Sequence, residues 1–198
     1  MIIVSHRINT KKELIKLKNQ YGVEIDLRTY GKDIVVNHDP FYKSIKFSTW
    51  LKFYNHKLLI ANIKEEGIEK EVIKLIKKNS IVDYFLLDVT IPQILNLNKI
   101  KILDIGLRIS KYEQYKGILN FKHKNKWIWL DTFDGELPIK INEIKNLKNM
   151  NYKICLVSPE LPLKKKLYTK KFITTYKNSL SFIDAVCTKQ PNLWKNFQ

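Results

Sequence analysis

Residues 22 to 40 read GVEIDLRTYGKDIVVNHDP, and few other stretches of the chain hold so many side chains able to do chemistry. Glu24, Asp26 and Arg28 stand at i, i+2 and i+4, so an extended backbone puts two carboxylates and a guanidinium on one face. His38 and Asp39 close a second apolar run, and Thr29-Tyr30-Gly31-Lys32 joins the two runs in the pattern of a β-hairpin. Upstream lie His6-Arg7 and Asn9-Thr10, and downstream Asn62 and Lys64. Two imidazoles can give and take protons near neutral pH, paired carboxylates can hold a hard cation, and arginine or lysine can grip an anion. Burying such groups without partners is costly, and the solvent faces elsewhere in this chain are made of lysine, so a polar site explains the stretch better than a wet surface. A structural ion pair of Glu24 and Asp26 with Arg28 or Lys64 is an equal contender.

The surrounding elements alternate strand-like and helix-like. Strands are expected over Ile2 to Ser5, the hairpin, Lys57 to Ile63, Tyr84 to Val89, Ile102 to Ile109, Trp127 to Leu130, Tyr152 to Val157 and Asp184 to Cys187. Helices are expected from Lys11 (capped by Asn9-Thr10), from a Ser48 cap, over Ile68 to Lys78, Pro92 to Leu97, through Glu113 and Tyr115, over Ile139 to Met150 and Leu167 to Phe182. Eight strand positions separated by seven crossovers is the rhythm of a single-domain (β/α)8 TIM barrel over residues 1–198, compact and carrying a hairpin at its second strand. A doubly wound open sheet is the weaker alternative, because no glycine-rich phosphate loop follows the first strand. In a barrel the C-terminal strand ends converge. Every predicted strand ends in polar residues: His6-Arg7, Asp26 and Arg28 with His38-Asp39, Asn62 and Lys64, Asp88, Arg108, Asp131, Ser158-Pro159-Glu160, and Thr188-Lys189.

At these residues the chain resembles the superfamily of glycerophosphodiester phosphodiesterases and phosphatidylinositol-specific phospholipases C. The resemblance rests on His6-Arg7, Asn9-Thr10, Glu24-x-Asp26, His38-Asp39 and Asn62-x-Lys64, and is specific over residues 1 to 66. It implies phosphoric diester hydrolysis of a small glycerophosphodiester-like or sugar-phosphate diester, with His6 and His38 as acid and base. It further implies Glu24, Asp26 and Asn62 around Mg²⁺ or Ca²⁺, with Arg7, Arg28 and Lys64 on the phosphate. The strand-end positions add Arg108 as a phosphate contact and Asn9, Asp39, Asp88, Asp131, Glu160 and Lys189 as residues lining the site. Two departures stand out. The glycine that follows His-Arg in the family is Ile8, and the third metal carboxylate is Asn62, an uncharged ligand. Arg28 could supply the missing positive charge, as an arginine does in the metal-independent bacterial phospholipases C. The alternative reading is a catalytically reduced barrel that binds a phosphorylated ligand or acts as an interaction module.

Composition bounds the rest. The net charge is +17, yet 33 of the 36 basic residues are lysines scattered through every segment, so a lysine-solvated surface explains the charge better than a nucleic-acid partner. The scarce arginines, Arg7, Arg28 and Arg108, each fall near a strand end, where bidentate geometry would favour keeping them. No apolar run reaches the ~18 residues of a membrane span, and no leader is expected, which points to a cytoplasmic protein without an integral membrane segment. Cys155 and Cys187 sit in apolar runs and read as buried thiols. His56 and His123 precede strands and read as surface residues, as does the run Lys164 to Lys166; Trp127 and Trp129 read as core or pocket wall. Substrate identity and oligomeric state are not written in the sequence.

Overall fold

The computed structural model describes residues 1–121, 126–164 and 166–196; His123 and Lys165 lie outside the described residues. The fold is α/β, of the (β/α)8 class: eight parallel strands alternate with helices among the described residues, and one antiparallel strand makes the hairpin. Two compact units share the chain, Met1–Ser5 with Ile102–Gln198, and His6–Lys101.

The His6–Lys101 unit holds α1 (Lys11–Lys16), β2 (Gly22–Tyr30), β3 (Asp33–Val36), α2 (Phe47–Trp50), β4 (Leu59–Ile63), α3 (Glu69–Lys78), β5 (Tyr84–Leu87) and α4 (Ile91–Lys99). Thr10 caps α1 as the sequence suggests, in a full capping box with Glu13, a device that typically contributes about 1 kcal/mol. The helix stops at Lys16, short of Asn19, and Leu17 is only half-buried. Ser48 does not cap its helix: Lys46 occupies that position and Ser48 lies inside the first turn. Strand order is β3-β2-β4-β5, with β2, β4 and β5 parallel. Val23, Ile25 and Leu27 form one wholly buried face of β2 and join Leu14, Trp50, Leu59, Val72, Ile76 and Phe85 in this unit's core. Glu24 and Asp26, on the other face, are equally inaccessible to solvent. A strand buried on both sides must supply partners for its polar residues.

The second unit contains β1 (Ile2–Ser5), β6 (Gly106–Ile109), α5 (Tyr115–Ile118), β7 (Trp127–Leu130), α6 (Ile141–Asn149), β8 (Lys153–Val157), α7 (Glu160–Leu163), α8 (Lys166–Leu180), β9 (Ala185–Thr188) and α9 (Pro191–Lys195). Its sheet runs β1-β9-β8-β7-β6, parallel throughout. Two short helices, α7 and α9, were not expected. Pro159 and Pro162 disguise the first as a loop, whereas Pro191 opens the second at the first helical turn, where a missing N–H costs nothing. Trp194 of α9 is fully buried and donates from Nε1 to Ser158 Oγ at 2.8 Å. The α8 helix breaks at Tyr176, whose φ of −105° and ψ of 16° lie outside the helical range. The stretch 102–104 is irregular, so β6 is shorter than the apolar run predicts. Both cysteines are buried, as are Trp127 and Trp129.

Candidate active site

The register of β2 against β4 sets the centre of the site. Asp26 stands opposite Asn62 and Glu24 opposite Ile60, so all three polar side chains leave the same face of neighbouring parallel strands. Asn62 donates its amide to Glu24 Oε1 at 2.9 Å across that diagonal. Lys64 follows the end of β4, its backbone N–H bonded to Leu27 O, and its ammonium lies 3.0 Å from Asp88 Oδ2 and 3.7 Å from Asp26 Oδ1. Asp88 comes directly after β5 with φ of 59°, a left-handed turn that a short polar residue tolerates.

The segment after β1 closes over the carboxylates. Arg7 adopts a φ of 56°, which turns its backbone N–H onto Glu24 Oε2 at 2.8 Å, and the next amide, Ile8, donates to Glu24 O at 2.9 Å. That left-handed backbone is uncommon for an arginine and costs about 1 kcal/mol, offset here by one hydrogen bond to the buried carboxyl group and one to the same residue's backbone carbonyl. The Arg7 Nε is 3.6 Å from Asp26 Oδ2, and His6 Nε2 is 3.7 Å from Glu24 Oε2. Asn9 forms a two-point clamp: its Nδ2 donates to Asp26 Oδ2 at 2.9 Å while its Oδ1 accepts from the Asp26 N–H at 3.0 Å.

The hairpin supplies the remaining side. The β2 strand runs past its pairing with β4, turns at Gly31 (φ 62°), and returns as β3 with Leu27 opposite Val36. The return brings Asn37 N–H to Asp26 O at 2.9 Å, so His38 and Asp39 come back to the level of the carboxylates. Arg28 Nε donates to His38 O at 2.7 Å, and His38 Nδ1 pairs with Asp39 Oδ1 at 2.8 Å, which fixes the ring and leaves Nε2 as its other face. Glu65, missed in the sequence, accepts from both the Thr29 amide and hydroxyl and ties the hairpin to the end of β4. Its signal was a carboxylate beside Lys64, hidden by the acidic run Glu65-Glu66.

Electrostatics follow from burial. Desolvation, with the Asp26 charge beside it, pushes the Glu24 carboxyl up to about 7, against the opposing hydrogen bonds from Asn62 and Arg7. Among the described residues no three His, Cys, Asp or Glu side chains are grouped so as to hold a metal. The oxygen donors nonetheless suit a hard cation. Asp26 Oδ1 and Asn62 Oδ1 are both buried without a hydrogen-bond partner, and two carboxylates with one amide is an oxygen-only set.

The remaining sequence candidates belong to the other unit and are engaged there. Arg108 pairs with Asp131, with Glu113 Oε2 at 3.7 Å from its Nε, and Trp129 Nε1 donates to Asp131 Oδ2 at 3.2 Å. Glu160 accepts from the hydroxyls of Ser158, Thr169 and Thr188 and from the Lys189 backbone N–H at 3.1 Å, a buried carboxylate that joins the ends of β8 and β9. Outside the site, His56 Nε2 lies 3.2 Å from Leu17 O, and burial lowers its pKa.

No family profile matches the sequence, and no curated protein matches it. Solved structures do. A candidate glycerophosphodiester phosphodiesterase from Galdieria sulphuraria superposes with a TM-score of 0.71 at 15% identity, over 99% of this chain and 96% of that one. Glycerophosphodiester phosphodiesterases from Agrobacterium tumefaciens (TM-score 0.69, 14% identity, 100% and 98% coverage) and Parabacteroides distasonis (0.67, 10%, 99% and 85%) are similar over nearly the same span. At these identities the likeness is one of fold. No helix among the described residues is long and apolar enough to cross a membrane.

Proposed function

We propose that this protein is a phosphoric diester hydrolase acting on a small glycerophosphodiester-like or sugar-phosphate diester. The observation that carries the reading is the convergence on Asp26 of Asn9, Arg7, Lys64 and the Asn37 backbone, from three separate stretches of chain, with His6 beside Glu24 and His38 next in the chain after Asn37. The fold shared with three structures named as glycerophosphodiester phosphodiesterases agrees with it.

In this reading His6 and His38 exchange the protons. One takes the proton of the attacking hydroxyl, from water or a neighbouring substrate group, as the new P–O bond forms. The other gives its proton to the leaving alkoxide as the old P–O bond breaks. Arg7, Arg28 and Lys64 oppose the charge on the non-bridging oxygens, and Asp39 keeps the His38 ring in one orientation. Glu24, Asp26 and Asn62 would hold Mg²⁺ or Ca²⁺, which when bound adds positive charge for the phosphate. Arg108, already paired with Asp131, is assigned no step.

The competing reading, a barrel that binds a phosphorylated ligand without turnover, draws on Asn62: its amide is turned to Glu24 as a donor. The two are separated by incubating the protein with glycerophosphodiesters in Mg²⁺, in Ca²⁺ and in chelator, and following phosphorus by NMR. Conversion of diester to monoester or cyclic phosphate supports the enzyme. Binding of glycerol phosphate with no conversion under any condition moves the protein to the second reading.

A further inference from the structure

The tip of the hairpin and the loop after Asp39 carry apolar surface that the proposed chemistry does not use. Phe41 is 92% exposed, Tyr42 67% and Tyr30 44%. Phe41 also has φ of 68°, a conformation rare for a bulky residue, so its backbone is strained where the ring faces solvent. Tyr30 and Phe41 share one shallow depression with Gly31, Pro40, Glu65 and Arg28.

Charge says what the surface suits. The acidic groups of the stretch are engaged: Asp33 with Lys46 at 2.8 Å, Asp39 with His38, and Glu65 with Thr29. Lys32, two residues after Tyr30, and Lys43, directly after Tyr42, are both exposed. Aromatic rings flanked by lysines are the composition that sits at a membrane–water boundary, rings at headgroup depth and ammonium groups on anionic lipid. A second copy of this chain fits less well, because each copy carries a net charge of +17.

We propose that Tyr30, Phe41 and Tyr42, with Lys32 and Lys43, form a peripheral docking surface for an anionic lipid bilayer. The surface lies on the segment that carries His38 and Arg28, so docking would bring those residues to the headgroup layer. It needs neither the reaction proposed above nor a bound metal.

The test is flotation with vesicles of phosphatidylcholine alone and of phosphatidylcholine with one-third phosphatidylglycerol, at about 0.1 M salt. The expected result is binding to the anionic vesicles at least tenfold tighter than to the neutral ones. Phe41→Ser with Tyr42→Ser should lower it about tenfold with the circular dichroism spectrum unchanged, and Lys32→Glu with Lys43→Glu should do the same. Lys77→Glu with Lys78→Glu, an equal charge change on exposed α3 residues, should lower it far less. Equal loss in that control would mean binding by bulk charge and would overturn the proposal. So would unchanged binding in the aromatic variant, or self-association of the wild type that the aromatic variant abolishes. Diester turnover measured on a soluble substrate stands apart from all these outcomes.

Discussion

At the scale of single residues, most of the tension in the site falls on Glu24. Its carboxyl is raised to about 7 by burial and by Asp26, against 4.5 in an ordinary setting. Between those two values the folded chain holds more protons on Glu24 than the unfolded chain does. Stability from this group is therefore complete below about 4.5 and is lost as the pH climbs through about 7. The shift corresponds to roughly 3 kcal/mol at most. Urea unfolding in chelator should show this fall between pH 4.5 and 8, and Glu24→Gln should flatten it; an unaltered slope would place the titrating group elsewhere. The histidines give the matching kinetic expectation. His6→Ala and His38→Ala should each lower diester turnover by about 10²- to 10⁴-fold while leaving the unfolding midpoint within a few degrees. Loss in only one variant would mean a single general catalyst.

At the scale of elements, the parallel register of β2 and β4 makes a prediction of its own. Because Asp26 and Asn62 are lateral neighbours, Asn62→Asp adds a third carboxylate to the same face, and calorimetry should find Ca²⁺ bound at least tenfold more tightly than by the wild type. An unchanged affinity would show that the position does not face the ion. This register also explains how much could be read from sequence. Alternation fixed the faces of β2, and the motifs His6-Arg7, Glu24-x-Asp26, His38-Asp39 and Asn62-x-Lys64 marked residues that the structure gathers within one unit. Element boundaries were less legible: apolar runs continue past hydrogen-bonded ends at Ile102 and Lys57, and proline hid α7. The partners were least legible of all. That Asn9 would clamp Asp26, that Asp131 would hold Arg108, and that Glu160 would be ringed by hydroxyls are facts of tertiary placement, with no periodicity to announce them.

At the scale of the whole molecule, one of the two units is made of two separate pieces of chain, Met1–Ser5 and Ile102–Gln198, with the whole of His6–Lys101 inserted between them in the sequence. We therefore expect one domain with one cooperative unfolding transition. Glu160→Ala tests this within the unit that does not contain Glu24 and Asp26. It would leave the hydroxyls of Ser158, Thr169 and Thr188 buried without their acceptor, a loss on the order of 3 kcal/mol. The whole transition should move to lower temperature, with cation binding at 20 °C unaffected; two resolved transitions would divide the chain instead. The first strand has a consequence for biosynthesis. Ile2 to Ser5 pair with Ala185 to Thr188, so the β1 edge of that sheet cannot form until β9 has left the ribosome. At about 5–20 residues per second that is a wait of many seconds, during which Ile2, Ile3 and Val4 have no β9 edge to pair with. His6 and Arg7 follow immediately on that strand, so the bonds that β9 gives to the segment before them form only after Ala185 to Thr188 have been made.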